Sequence, residues 1–319
     1  MKRVLITRGV FEEVVAGLAR KFEVEHNAED RPWPPEELAR RLAGKSGAMA
    51  TVMDRFDDEL LARCPELKVV SNIAVGYNNI DVPAATARGI RVTNTPGVLD
   101  DTTADLTWAL LMAAARRIAE GDAYVRAGDW KIAFGVQYFL GQDIHHATLG
   151  IIGMGRIWQA IARRASGFDM RVLYNNRSRL PEADEKRLGA TRVERDQLLA
   201  ESDFVVVMAP YSPATHHLIG AAEIARMKPT AILVNSARGG VVDDAALVRA
   251  LKDGRIAGAG LDVFEGEPRL DPGYRGLRNV VMTPHIGSAS RATRLVMCNT
   301  AAANMTAVLE GRDPPNPVN

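Results

Sequence analysis

Three segments of this chain carry a titratable side chain just beyond a short apolar run. Arg238 lies in Asn235-Ser236-Ala237-Arg238-Gly239-Gly240 after the run 231–234, and Glu267 follows the run 257–261 within Leu261-Asp262-Val263-Phe264-Glu265-Gly266-Glu267-Pro268. His285 follows the run 280–282 in Thr283-Pro284-His285-Ile286-Gly287-Ser288. A guanidinium, a carboxylate and an imidazole suit the reduction of a 2-keto acid. The imidazole titrates near neutrality and can give a proton to the keto oxygen. A carboxylate beside it favours the imidazolium and fixes the ring. The guanidinium can bind a substrate carboxylate and polarise the reacting carbonyl. Each residue alone could be a structural ion-pair partner, loop surface or a core histidine. Together, at three strand ends that converge on one crevice in a parallel sheet, they form a candidate catalytic set.

The hydride for such a reaction comes from a cofactor, and Gly153-Met154-Gly155-Arg156-Ile157-Trp158 has most of the required pattern. It sits between an apolar strand, 148–152, and a helical stretch, 159–165. Gly153 permits a tight turn and Gly155 lets a pyrophosphate approach the backbone at a helix N-terminus. Trp158 stands where the third fingerprint glycine belongs, so the indole must push the helix outward or turn away from the sheet. The next strand, 171–174, ends in Asn175-Asn176-Arg177-Ser178-Arg179, with no acid before Glu182. A carboxylate there would bind a ribose 2′-hydroxyl, whereas Asn176, Arg177, Ser178 and Arg179 suit a 2′-phosphate. NADP(H) is therefore expected over NAD(H), which remains possible.

Positioning these residues requires alternating strands and helices along nearly the whole chain. Apolar runs at 4–6, 47–52, 69–74 and 90–93 are separated by helical patterns at 11–20 and 35–41. A second series at 148–152, 171–174, 204–208, 231–234, 257–261 and 280–282 repeats at βαβ spacing. The stretch 103–120 reads as one long helix, as does 290–310. The expected fold is α/β, with two Rossmann-like or flavodoxin-like doubly wound parallel-sheet domains and a cleft between them.

Composition agrees. The 319 residues are 47% hydrophobic and 25% charged, enough for two ordinary cores without staples. A net charge of +1 gives no basic face for nucleic acid. The longest apolar run, 106–115, is too short for a bilayer, and the N-terminus reads as a first strand rather than a signal peptide. Two cysteines, Cys64 and Cys298, make no disulfide framework and suit a reducing cytoplasm. The pairs His145-His146 and His216-His217 could suggest a metal, but adjacent side chains on regular elements diverge, so no metal site is expected.

These segments, with Val75-Gly76-Tyr77-Asn78-Asn79-Ile80-Asp81, Asn94-Thr95-Pro96-Gly97 and Thr103-Ala104-Asp105, resemble the D-isomer-specific 2-hydroxyacid dehydrogenase family over essentially the whole chain, especially its glyoxylate/hydroxypyruvate reductase branch. The resemblance implies that Arg238, Glu267 and His285 are catalytic, and that the amides of Val75 and Gly76, with Arg238, hold the substrate carboxylate. It implies further cofactor contacts from Thr103, Arg156, Ile157, Ala209, Pro210, Thr215, Ala237, Asp262 and Gly287, with Asp262 near the nicotinamide carboxamide. It also implies a substrate-binding domain of residues 1–100 plus 290–319, a dinucleotide-binding domain of 101–289, and a homodimer paired through the latter. Reduction of 2-ketogluconate is the competing enzymatic reading. A corepressor resembling the C-terminal-binding-protein branch, with NAD(H) gating its assembly, is the non-enzymatic one.

Overall fold

Short strands, most of them buried, alternate with helices along the chain. The series opens with β1 (Arg3–Ile6), α1 (Glu12–Ala19), β2 (Glu23–His26), α2 (Pro35–Leu42), β3 (Gly47–Ala50), α3 (Asp58–Ala62), β4 (Val69–Asn72), α4 (Val82–Ala87) and β5 (Arg91–Thr93). It continues with α5 (Asp100–Ala115), α6 (Ile118–Arg126), β6 (Thr148–Ile152), α7 (Arg156–Ala165), β7 (Arg171–Asn175), α8 (Glu182–Leu188), β8 (Ala190–Arg192) and α9 (Arg195–Glu201). The last elements are β9 (Phe204–Val207), α10 (Ala221–Ile224), β10 (Ile232–Asn235), α11 (Asp244–Lys252), β11 (Gly258–Leu261), β12 (Val280–Met282) and α12 (Arg291–Leu309). Carboxylate caps fix several helix starts, as where Asp81 accepts from Ala84 N and Asp243 from Ala246 N. The computed structural model describes residues 1–153 and 155–319, so Met154 of the glycine turn lies outside the described residues.

The chain forms two units, Met1–Leu99 with Ala289–Asn319, and Asp100–Ser288. The first holds a five-stranded sheet of order β2-β1-β3-β4-β5, every pair parallel. That is the flavodoxin-like order, with its switch point between β1 and β3. Helix α12 returns to cover one face, where Cys298, Ala301, Met305 and Leu309 pack on Val4, Ile6, Met49 and Val69. Opposite, α2, α3 and α4 supply Leu38, Leu42, Leu60, Leu61 and Ala85 to a second core.

The second unit holds seven parallel strands in the order β12-β11-β10-β9-β6-β7-β8. Its direction reverses between β6 and β9, so ligands are expected outside the carboxyl ends of those strands. Strand β9, Phe-Val-Val-Val, has 0% exposure at each position, as a strand covered by helices on both faces requires. Among the described residues, no helix is long and apolar enough to cross a membrane.

Two details depart from the sequence reading. The stretch 103–120 is not one helix, because α5 ends at Ala115 and Arg117 takes φ +52° before α6 begins. The Ala115 carbonyl accepts from Gln142 N at 2.9 Å, so the loop leading to β6 takes the acceptor that would have continued the ladder. The edge strand β8 is only three residues long and has no apolar run to announce it.

Candidate active site

The glycine turn joins β6 to α7 at the switch point. Gly153 has φ +96°, and a Cβ there would lie 2.4 Å from Ala209 N, beyond β9. Only glycine allows that approach of the two strand ends. A Cβ at Gly155 would meet nothing within 4 Å, so the backbone ahead of α7 faces open space. Helix α7 has no side-chain N-cap and no acid in its first turn, where Arg156 stands. Uncapped amides, a cation and room in front of them fit the pyrophosphate of a dinucleotide.

Trp158 turns inward. It is wholly buried against the sheet, stacked on Tyr174 of β7 with centroids 5.5 Å apart at 20°. Its Nε1 finds no hydrogen-bond partner among the described residues. The indole thus replaces a close glycine contact with an aromatic one, and the turn itself stays clear. The Tyr174 hydroxyl donates to Glu185 Oε1 at 2.5 Å and accepts from Leu180 N at 2.9 Å.

The basic turn after β7 is only partly available. Arg179 pairs with Glu185, Nη2 to Oε2 at 2.9 Å, and this partner was not expected from the sequence. The two lie six positions apart, with Glu185 on α8 and Arg179 on the preceding turn. Asn176 Nδ2 donates to Ser178 O at 3.0 Å, which shapes the turn. Arg177 and Ser178 are exposed. Among the described residues Arg177 makes no ion pair, so it is the cation best placed to meet a phosphate.

On the other half of the sheet, the segments after β10, β11 and β12 converge. His285 Nδ1 lies 2.7 Å from Glu267 Oε2, while Glu267 Oε1 accepts from Phe264 N at 2.8 Å. Burial alone would raise the Glu267 pKa, but the hydrogen bond and charge of His285, the Phe264 N–H and the Arg238 charge outweigh it. The carboxyl is held below its ordinary value. His285 has φ +54°, with its N–H donating to Asp262 O at 2.9 Å. Arg238 follows β10, where Asn235 Nδ2 donates to its carbonyl at 3.1 Å. Desolvation lowers the Arg238 pKa against the opposing charge of Glu267. Its neighbour Gly239 is obligatory, because a Cβ would sit 1.8 Å from Phe264 O. That contact ties the arginine loop to the Glu267 loop.

Asp262 is buried and fully engaged. Oδ1 accepts from Thr283 Oγ1 at 2.6 Å and Ile286 N at 2.8 Å, and Oδ2 accepts from Gly287 N at 2.8 Å. Burial raises its pKa despite these donors. A Cβ at Gly287 would stand 3.3 Å from both Asp262 Oδ2 and Thr103 Cγ2, so Thr103, Asp262 and Gly287 lie together. Ala209 is buried beside Gly153, and Thr215 Oγ1 bonds to Pro210 O at 2.7 Å, closing the loop after β9. Ile157 is half-buried on α7, and Ala237 N donates to Asn235 Oδ1 at 3.1 Å. In the first unit, Asn94 Nδ2 binds Val75 O and Asn72 Nδ2 binds Gly76 O, both at 2.8 Å. Sequence reading passed over these two asparagines, although each lies in or beside a motif it had singled out.

The two histidine pairs differ. His145 and His146 meet edge-on at 5.1 Å. His216 and His217 stack at 3.8 Å and 24°, although the second residue of each pair has a left-handed φ, +60° at His146 and +50° at His217. The rule that neighbours diverge holds on helices and strands and does not apply in the turn that holds this second pair.

A doubly wound sheet with a dinucleotide turn at its switch point, and a histidine–carboxylate pair beside an arginine at neighbouring strand ends, fits an NAD(P)-dependent oxidoreductase. Residues 108–287 match the family model described as D-isomer specific 2-hydroxyacid dehydrogenase, NAD binding domain. A glyoxylate reductase of Thermococcus gammatolerans is 49% identical over 99% of this chain and 96% of its own. One from Pyrococcus furiosus is 48% identical over 99% and 95%. The crystal structure of an NADPH-dependent glyoxylate/hydroxypyruvate reductase from Sinorhizobium meliloti, in complex with NADP and malonate, superposes with a TM-score of 0.89 at 32% identity, covering 99% of this chain and 96% of that one. The chain belongs to the D-isomer-specific 2-hydroxyacid dehydrogenase family.

Proposed function

We propose that this enzyme reduces glyoxylate and hydroxypyruvate to the corresponding 2-hydroxy acids, the D isomer where the product is chiral, with NADPH preferred to NADH. The reading rests on the 2.7 Å contact between His285 Nδ1 and Glu267 Oε2. Held through Nδ1, the ring keeps Nε2 for the substrate's keto oxygen, and Glu267 stabilises the imidazolium that donates the proton. Arg238 binds the substrate carboxylate and polarises the carbonyl, with the N–H groups of Val75 and Gly76 sharing the carboxylate. A bound nicotinamide supplies the hydride. Gly153, Gly155, Arg156 and Ile157 hold its pyrophosphate. Thr103, Ala209, Pro210, Thr215, Ala237, Asp262 and Gly287 line the path to the ring. Asn176, Arg177, Ser178 and Arg179 take the 2′-phosphate, Arg177 foremost. Residues 1–100 with 290–319 bind substrate and 101–289 bind the cofactor. The names of the Thermococcus, Pyrococcus and Sinorhizobium relatives support the substrate and cofactor assigned.

The enzyme works as a homodimer, for which the exposed apolar side chains Trp130, Ile132, Phe134, Val136 and Leu140 speak. It works in the cytoplasm, where Cys64 and Cys298 stay as the buried free thiols they are.

Steady-state kcat/KM with glyoxylate, hydroxypyruvate and 2-ketogluconate, each with NADPH and NADH, tests the proposal. A charge-assisted contact to the 2′-phosphate is worth about 1.5–3 kcal/mol, so NADPH should lead by about 10–100-fold. An equal or higher value with NADH would refute the cofactor preference. A lead for 2-ketogluconate would reassign the substrate. No turnover of any small 2-keto acid would leave the corepressor-like reading in its place.

A further inference from the structure

Outside the His285–Glu267 pair, the second unit gathers another set of side chains able to bind an ion. One ring nitrogen each from His216 and His217 and a carboxylate oxygen of Glu265 lie within 4.8 Å of one another. Three local features build this cluster. His217, whose N–H donates to Gly240 O at 2.8 Å, holds its ring in a stack 3.8 Å from that of the exposed His216, and a tilt of the His216 ring would turn both nitrogens towards one ion. The Tyr211 hydroxyl lies 3.5 Å from His216 Nδ1, which leaves His216 Nε2 as the ligating atom. Asp243 Oδ2 faces His217 Nδ1 at 3.9 Å, while His217 Nε2 faces Glu265 Oε2 at 2.9 Å.

We propose that His216, His217 and Glu265 bind one divalent cation of the zinc class, with water in the fourth position. Two imidazoles and one carboxylate are a zinc donor set, whereas magnesium and calcium call for oxygen ligands throughout. Bonds of about 2.0–2.2 Å to a tetrahedral ion separate its ligands by about 3.4 Å. The present contacts of 2.9 Å and up to 4.8 Å bracket that value, and Glu265, with 46% of its side chain exposed, can swing to admit the ion. Asp243 would then orient His217 from behind, the outer carboxylate that ligating histidines commonly have. The bound ion would join the 211–218 loop to the loop that carries Glu267.

The test uses the full-length enzyme stripped with chelator and dialysed. Zinc chloride is titrated calorimetrically, and cobalt(II) is added separately for its visible spectrum. The native protein should take up one ion per chain, show tetrahedral cobalt bands and gain thermal stability on zinc addition. His216→Ala and Glu265→Gln should each weaken binding by at least about tenfold and abolish the stabilisation. Glu265→Gln retains an amide against His217, so it guards against a folding defect in the alanine variant. The double variant His145→Ala/His146→Ala and the single variant His285→Ala should bind zinc as the native protein does. Absence of saturable binding by the native protein would overturn the proposal. So would binding that survives both His216→Ala and Glu265→Gln, or that falls with His285→Ala instead.

Discussion

In the proposed reaction, proton donation depends on the His285–Glu267 contact, and its two sides can be removed separately. His285→Ala should lower kcat by about 10²–10⁴, the usual worth of a positioned general acid. The position has φ +54°, where alanine is strained and asparagine is better tolerated. His285→Asn should therefore lose as much activity with a smaller drop in melting temperature than His285→Ala. Near-normal turnover by either would remove His285 from the role. Glu267→Gln is subtler, because the carboxylate accepts from Phe264 N with one oxygen and meets His285 with the other. The amide keeps one acceptor and loses the charge that stabilises an imidazolium. Glu267→Gln should therefore lower kcat while leaving the fold intact. An unchanged kcat would show that Glu267 does not support the ring. Stability carries its own sign. The Glu267 carboxyl is held below its ordinary value of 4.5, so its stabilising contribution is complete above that pH. It is lost as pH falls through the lowered native value. Glu267→Gln should accordingly flatten the acid side of a melting-temperature profile.

At the scale of elements, the decisive one is α7, which must place its N-terminus at the switch point without the third fingerprint glycine. Trp158 anchors it by filling the space between helix and sheet against Tyr174. Trp158→Ala removes that anchor and should cost about 3–5 kcal/mol of unfolding free energy, read by urea denaturation. The cofactor Kd should weaken with it, because the glycine turn rides on the helix. Trp158→Phe drops the buried indole N–H, which has no partner among the described residues, while keeping most of the ring. It should cost far less than the alanine change. A small loss from Trp158→Ala would mean that α7 is positioned by its other contacts, chief among them those with α5. There Arg164 pairs with Asp105 at 2.6 Å, and the Trp108 indole donates to Ile161 O at 3.1 Å.

For the whole molecule, assembly is the open physical matter. Phe134 and Val136 are each 82% exposed, beside Ile132 at 59% and Trp130 at 56%. A run of large apolar side chains in water is costly, and covering it with a second copy removes the cost. Light scattering on a sizing column should therefore report about two chains of 34.7 kDa. The double change Phe134→Asp and Val136→Asp should shift the population towards one chain. A native protein that elutes as a monomer at micromolar concentration would refute the dimer.

Much of this was legible from residue order alone, because it rests on local rules. Apolar runs at βαβ spacing imply parallel sheets. The pair Gly153 and Gly155 after a strand implies a phosphate turn, and titratable residues after successive strands imply one shared edge. Other features depend on neighbours far away in the chain. The inward turn of Trp158 needs Tyr174 from the next strand. Arg179 is drawn to Glu185 only because α8 folds back beside its turn, and α5 stops at Ala115 because Gln142 arrives to take a carbonyl. His216 and His217 stack where Gly240 takes the His217 N–H and the Tyr211 hydroxyl lies against His216, neither of which is a sequence neighbour of the rings. Periodicity describes regular backbone well, but where a side chain points at a turn is settled by whatever the fold packs against it.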